Sequence, residues 1–365
     1  MNQSSPVFLA KLLFRLNLRQ TCSCFWLVLL ATFAYESTAT AATAPAETTT
    51  TYTQVHWCVF DVLGAAGPAK QMVDDYKIRA LRWGVELTTD YYKDDQEAMA
   101  HFEAGHCDLI NLPDFRARRY NHFTGSINAV GAIPDEKHLG QVIQSLAQPQ
   151  AQPLMRSGDY EIMGIVFIGG LHAFVTDRAM TRPDALVGKR ISILEGIEES
   201  DYLIEQNGMI AVPSDLAGMF RKFNTKQVDY TVAPLIVYEG LEMYQGLEPD
   251  GGISRYPIAM ATMQLIGRWD KFPDAVGQKS REFVADSHLS IVETIRDYEK
   301  PVPEKYWFDI PLEDFYHWDN AFTRARKDLA AQGIYNTQML KLLKKVRCQS
   351  FSDRAECQLS DVTVY

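Results

Sequence analysis

Two stretches of the chain repeat one spacing, and that repeat restricts the fold more than any other feature. The first runs from Phe102 through Cys107 and Asp108 to Pro113; the second runs from Phe223 through Val228 and Asp229 to Pro234. In each, a Phe that ends a helical pattern is followed five residues later by a residue of buried type, then Asp, then four mostly apolar residues, then Pro. An apolar tetrapeptide has the length of a strand buried on both faces, as in a parallel sheet. Proline cannot donate to a sheet ladder, so it marks the exit from that strand. Each copy therefore reads as the closing helix and strand of an α/β unit, and two such units predict two similar lobes with a ligand cleft between them.

The flanking sequence repeats as well. Residues 55–62 are β-branched and aromatic and run into Gly64-Ala-Ala-Gly67-Pro68, the pattern of a central strand entering a helix with proline in its first turn. That helix continues to Trp83, a strand follows over 85–92, and Asp94-Asp95 caps a helix through Glu103. The second unit has a strand ending at Leu194, a loop at Glu195-Gly196, a helix over 198–207, a short strand over 209–212, and a helix capped by Ser214-Asp215 that ends at Phe223. Such alternation specifies a parallel α/β sheet. Between the two copies, 114–120 reads as a helix bearing Arg116, Arg118 and Arg119, 126–133 as a strand and 135–147 as a helix. The β-rich stretches 160–175 and 256–266 fit two crossovers between the lobes. Residues 236–244, 274–297, 312–331 and 337–346 read as helices, the last two packing outside the first lobe. On this reading lobe 1 comprises 54–160 and 255–346, lobe 2 comprises 161–254, and 347–365 form a C-terminal tail.

Residues 1–42 are of another kind. Lys11, Arg15 and Arg19 precede an apolar run from Cys22 to Tyr35, and Ala39-Thr40-Ala41 supplies a small-x-small cleavage site, so the stretch reads as a signal peptide for export to the periplasm. The run is shorter than the roughly 20 residues of a membrane span. Residues 43–53, rich in Ala and Thr, read as a flexible leader. Cleavage leaves 33 basic and 45 acidic residues, a formal charge of −12; with no basic block, nucleic acid and anionic membranes are poor partners. Four cysteines remain, an even number compatible with two disulfides in an exported protein. The expected pairs are Cys58 with Cys107, on predicted strands, and Cys348 with Cys357, in the tail. For the first pair two buried free thiols stay open as an alternative, because paired strands need the right register to reach disulfide geometry.

In parallel α/β sheets the ligand lies outside the C-terminal ends of the strands, at helix N-termini. That rule selects Asp61, Gly64, Gly67, Pro113, Asp114, Glu195, Pro234 and Tyr238. The Gly64 to Gly67 loop either offers free N–H groups to an anionic or polar ligand or is a tight turn that needs glycine for its own backbone. Arg116 and its two neighbours form either an anion clamp or a solvated helix end. Tyr230 and Tyr238 are candidate pocket walls, with Tyr244 assigned to the core. His101 and His106, five apart, fall on different faces of a helix and with Cys107 make a poor metal site. There is no G-x-S-x-G nucleophile motif and no phosphate-binding loop ending in Lys-Ser/Thr, and no cofactor or metal is expected.

Three further motifs carry a family resemblance. Pro183-Asp-Ala-Leu-Val-Gly188-Lys-Arg190-Ile-Ser192-Ile193 resembles the approach to the second lobe in the solute-binding subunits of tripartite ATP-independent periplasmic (TRAP) transporters. Lys226-Gln-Val-Asp229-Tyr230-Thr-Val-Ala233-Pro234, with Tyr238-Glu239 after it, is similar to that family's second-lobe strand and helix, and Gly267-Arg-Trp-Asp-Lys-Phe-Pro273 to its helix start. The resemblance covers roughly residues 180–300 in order. It implies the α/β, two-lobed periplasmic-binding-protein fold with two interlobe crossovers and a ligand cleft. It also implies a receptor that captures a small polar or anionic ligand and delivers it to a membrane transporter or sensor. Two departures bear on specificity. Ser192 stands where the family places its carboxylate-clamping arginine, with Arg190 on the same side one pleat earlier, and Ala233 stands where the family has a ligand-side asparagine. An ordinary dicarboxylate is therefore a poor fit. Two other classes remain: a secreted enzyme using the same cleft, with Asp61, Asp114 or Glu195 as acid or base, and an envelope interaction protein without a ligand.

Overall fold

The structure, a computed structural model, describes residues 51–359. The expected signal peptide, most of the leader and the last six residues lie outside that range. The strands are β1 (Thr53–Phe60), β2 (Val85–Tyr92), β3 (Leu109–Pro113), β4 (Arg156–Ser157), β5 (Tyr160–Val175), β6 (Arg190–Leu194), β7 (Ile210–Ser214), β8 (Tyr230–Ala233), β9 (Gly252–Ser254), β10 (Ala259–Arg268) and β11 (Trp307–Phe308). The helices are α1 (Ala69–Leu81), α2 (Asp95–Glu103), α3 (Asp114–Ala117), α4 (Glu136–Leu146), α5 (Gln152–Met155), α6 (Glu198–Gln206), α7 (Leu216–Asn224), α8 (Val276–Asp286), α9 (His288–Glu299), α10 (Leu312–Ala331) and α11 (Thr337–Cys348). The main strand order is β2-β1-β3-β10-β5-β8-β6-β7. β1 pairs in parallel with β2 and β3, and β6 in parallel with β7 and β8, so the two α/β units have the same local topology. The long strands β5 and β10 run antiparallel to each other and join the units: β5 pairs β10 over Tyr160–Leu171 and then β8 over His172–Val175. These are the two crossovers expected at 160–175 and 256–266, and the fold is the two-lobed α/β class.

The repeated spacing has one structural cause in both units. Phe102 and Phe223 are both fully buried at the end of the preceding helix, and Cys107 and Val228 are buried at the turn. The Asp then bonds reciprocally to the first strand of its unit. Asp108 donates its N–H to the His56 carbonyl at 2.8 Å, and its carboxylate accepts the His56 N–H at 3.1 Å. Asp229 does the same with Arg190, at 2.8 and 2.9 Å. A short acceptor at this point satisfies a strand N–H just before the pairing with the matched strand begins, at Trp57 in β1 and Ile191 in β6. Pro113 and Pro234 end the two copies with extended backbone and open the turns of Asp114–Ala117 and Leu235–Val237.

Both disulfides form. Cys58 on β1 joins Cys107, with Cα atoms 5.7 Å apart, and Cys348 joins Cys357 at 5.5 Å. Cys58 pairs with Ile110, so Cys107 sits just before β3 and within reach.

Four elements differ from expectation. Residues 126–133 form a buried loop, not a strand. Their carbonyls go to arginines instead of a neighbouring strand: Arg326 donates to Val130 at 2.7 Å and Arg347 to Ala132, while the Gly131 N–H reaches Ile258. Residues 236–244 make short 3-10 turns, not a helix. The helix expected over 274–297 breaks at Ser287 into α8 and α9. Finally, α10 also reaches the second unit. Tyr202 donates to Asp328 at 2.6 Å, and Thr181 and Trp318 bond to each other's segments through Asp314 and the Thr181 carbonyl.

Candidate ligand-binding site

A cavity of about 620 Å³ opens between the two α/β units and the paired crossover strands, well inside the size range of small-molecule sites. Pro113 and Pro234 both line it, as the ends of the two matched strands. Its wall is mostly apolar, with Trp57 and Phe60 from the first unit, Ile191, Ile193 and Phe220 from the second, and Phe167 and Ile258 from the crossover region.

Of the residues selected from sequence, Asp61, Asp114, Ser192, Tyr230 and Pro234 line the cavity. Asp61 ends β1, and its carboxylate accepts the N–H groups of Leu63 at 2.8 Å and Ala69 at 2.9 Å. Burial raises its pKa against those two bonds. Asp114 accepts four hydrogen bonds: Phe115 N–H at 2.8 Å and Asn128 Nδ2 at 2.7 Å on one oxygen, Thr262 N–H at 2.8 Å and Thr262 Oγ1 at 3.0 Å on the other. It thus ties the end of β3 to β10. Burial pushes its pKa to about 7, against the bonds from Thr262 and Phe115 and the charge of Arg118. The Ser192 hydroxyl is buried and donates to the Met219 carbonyl at 3.3 Å. The Tyr230 hydroxyl has no hydrogen-bond partner among the described residues, and burial alone holds its pKa above the ordinary phenol range.

The remaining selected residues lie elsewhere. Gly64 and Gly67 serve their own turn. Gly64 has φ +66°, and a Cβ on Gly67 would fall 2.0 Å from the Asp61 carboxylate. The loop's inward N–H groups are taken by Asp61, so the chain's own carboxylate fills the place an anion would occupy. Arg190 is exposed at the outer, N-terminal end of β6 and pairs with Asp229 at 2.8 and 3.0 Å. Its strand position is right, but the Asp of the repeated spacing captures it. The three arginines after β3 form neither a clamp nor a free helix end, because each has its own carboxylate: Arg116 with Asp95 at 2.6 Å, Arg118 with Glu199, Arg119 with Glu103 at 2.9 Å. Glu195 faces solvent. Tyr238 and Tyr244 exchange roles: Tyr238 is in the core of the second unit and Tyr244 is 40% exposed. His106 lies beyond the end of α2 and folds back to bring its Nδ1 within 3.0 Å of His101 Nδ1; Cys107 is held in its disulfide, and no metal cluster occurs among the described residues.

Several wall groups carry no motif. Asn111 lies inside the first matched stretch and pins β1 to β3 by accepting from Trp57 Nε1 at 3.0 Å and donating to the Phe60 carbonyl at 2.8 Å. Asn128 comes from the loop that was read as a strand. Arg118 and Glu199 form a bidentate pair, at 2.5 and 2.8 Å, that connects the segment after α3 to α6 across the cavity edge. Only the folded chain brings these groups together.

A two-lobed α/β frame with a cavity between its units is the architecture of a solute receptor. The comparisons agree. Solved TRAP periplasmic solute binding proteins share the fold. One from Ralstonia eutropha, with bound (S)-2-acetolactate, has a TM-score of 0.64 at 12% identity, covering 81% of this chain and 99% of that one. One from Haemophilus influenzae, with bound L-gulonate, has a TM-score of 0.65 at 10% identity, covering 80% and 98%. The family model "Solute-binding protein AdeT 1/2" matches residues 84–362. Probable solute-binding protein AdeT1 of Acinetobacter baumannii is 35% identical over 303 residues, 83% of this chain and all of that protein, and probable AdeT2 of the same organism is 24% identical over 65% of this chain. The chain belongs to the AdeT 1/2 solute-binding protein family.

Proposed function

We propose that this protein is a periplasmic receptor that captures one small molecule, bearing at least one polar group, in the cavity between its two α/β units. It then delivers the ligand unchanged to a membrane transporter or sensor. The observation that carries the reading is the cavity itself, bounded by the ends of both matched strands, Pro113 and Pro234, and by the crossover strands that would act as its hinge. Export rests on the pattern of residues 1–42; among the described residues no helix is long and apolar enough to cross a membrane. The acids available for an enzymatic role are engaged, Asp61 by its own turn and Asp114 by four donors, and Glu195 faces solvent, which favours binding over turnover. Thermal-shift screening of the mature chain against a metabolite library, followed by recovery of the hit, tests this. A raised melting temperature with the hit recovered intact supports a receptor; conversion of the hit, or no hit with a membrane partner co-purifying, contradicts it.

A further inference from the structure

The chemistry of the cavity wall restricts the ligand further, provided the cavity is the receptor site. Among the described residues no Lys, Arg or His lines it; its charged groups are all acidic, Asp61, Asp75, Asp114 and Glu199. Asp61 and Asp114 are saturated by donors of the protein, Glu199 is held by Arg118, and Asp75 is exposed at the rim. The nearest guanidinium, Arg118, is therefore already committed to a carboxylate. A carboxylate ligand entering this space would lose its hydration, meet no free cation and approach fixed negative charge, and burying an unpaired charge is among the most costly events in a protein.

Among the wall groups without a hydrogen-bond partner are the Asn128 carbonyl oxygen and the Tyr230 hydroxyl, and both can accept. The Asn128 amide is oriented by its Nδ2, which donates to Asp114 Oδ1, an oxygen that also takes the Phe115 N–H. Its carbonyl oxygen must therefore turn the other way, where it is buried with no donor. Tyr230, on the second unit and only 5% exposed, lines the cavity, and its hydroxyl has no hydrogen-bond partner among the described residues. Buried acceptors without donors are expected to receive them from a ligand or water. The rest of the wall is largely apolar and includes Ile191, Ile193, Phe220 and Val232.

We propose that the ligand of this cavity is a predominantly apolar molecule whose polar head is a neutral or cationic hydrogen-bond donor, and not a carboxylate. The head meets the Tyr230 hydroxyl, and the apolar body fills the rest.

Isothermal titration of the mature chain, below the micellar range, with decan-1-ol, decylammonium, decanoate and succinate tests the proposal, because the first three differ only in the head group. The alcohol or the ammonium should bind with one site per chain and at least about tenfold more tightly than decanoate, and succinate should not bind. Tyr230→Phe should weaken the preferred probe several-fold without lowering the melting temperature much, and a folded Val232→Trp variant, which fills the space, should abolish binding. Decanoate binding as tightly as the other two, or succinate binding alone, overturns the ligand class and leaves the receptor reading standing. Binding that persists in folded Val232→Trp also overturns it, since the probe then sits outside the cavity. If none of the four binds, the class is wrong; the library screen then decides the receptor reading separately, a hit preserving it and no hit ending it.

Discussion

Glu356 sits buried between two buried guanidiniums, accepting from Arg326 Nη2 at 2.8 Å and from Arg347 Nε at 2.8 Å, with Arg347 Nη2 ion-paired at 2.7 Å. The same arginines hold the Val130 and Ala132 carbonyls, so one carboxylate fixes the C-terminal segment and the loop that carries Asn128. Burial pushes the Glu356 pKa up, but the two arginines outweigh it and hold the carboxyl below its ordinary value of 4.5. A group with a depressed folded pKa contributes stability above its unfolded pKa and loses it as pH falls through the folded one. Glu356→Gln removes the carboxylate charge that both guanidiniums share and should cost roughly 3–5 kcal/mol at neutral pH. Denaturant melts should show that difference from wild type shrinking as pH falls below 4.5. A second residue-scale prediction concerns the matched aspartates. Asp108→Ala and Asp229→Ala each strand one backbone N–H of a central strand, that of His56 and that of Arg190, and each should lower stability by about 1 kcal/mol. The two changes act on different units, so the double variant should equal their sum within about 0.5 kcal/mol.

Among elements, the α/β units and the crossover strands were legible in the sequence, because each rule behind them is local. Apolar tetrapeptides bounded by turn residues gave β3 and β8, Asp94 and Asp215 cap α2 and α7 as read, accepting from Glu97 and Gly218, and β-branched runs gave β5 and β10. The failures have a common cause. Residues 126–133 have the composition of a strand, but distant arginines take their carbonyls, and no local pattern reports a partner 200 residues away. Residues 274–297 keep a helical period through Ser287, and the break there is set by packing against α4 and β5. Both cysteine pairs were expected from the sequence and form, and strand register decides Cys58 with Cys107 over two free thiols. That bond closes the first unit by linking β1 to the turn before β3, both buried. Removing it with Cys58→Ala and Cys107→Ala should cost roughly 2–4 kcal/mol in a denaturant melt. Cys348 with Cys357 closes a segment of only nine residues' separation and should matter less.

The whole molecule is two similar units, two antiparallel crossover strands between them, and one ion pair that spans the cavity edge. About half of the sequence-selected site residues line the cavity, and the division is physical. Strand ends such as Asp61, Asp114, Tyr230 and Pro234 are placed by topology, which sequence reports. Arg116, Arg190 and Tyr238 depend on which side-chain partner captures them, which it does not. The Arg118–Glu199 pair has side chains only 12% and 11% exposed and joins the units directly, so it should favour the closed arrangement. Glu199→Gln is expected to enlarge the ligand-free radius of gyration in small-angle X-ray scattering and to weaken ligand binding by about tenfold, the equivalent of roughly 1.4 kcal/mol. The central claim, that the interlobe cavity holds one small molecule, is tested most directly by native mass spectrometry of the mature chain with its best library hit, set beside folded Val232→Trp. The account predicts one adduct of unchanged ligand mass per wild-type chain and none on the variant; equal adducts on both, or no adduct on either, would contradict it.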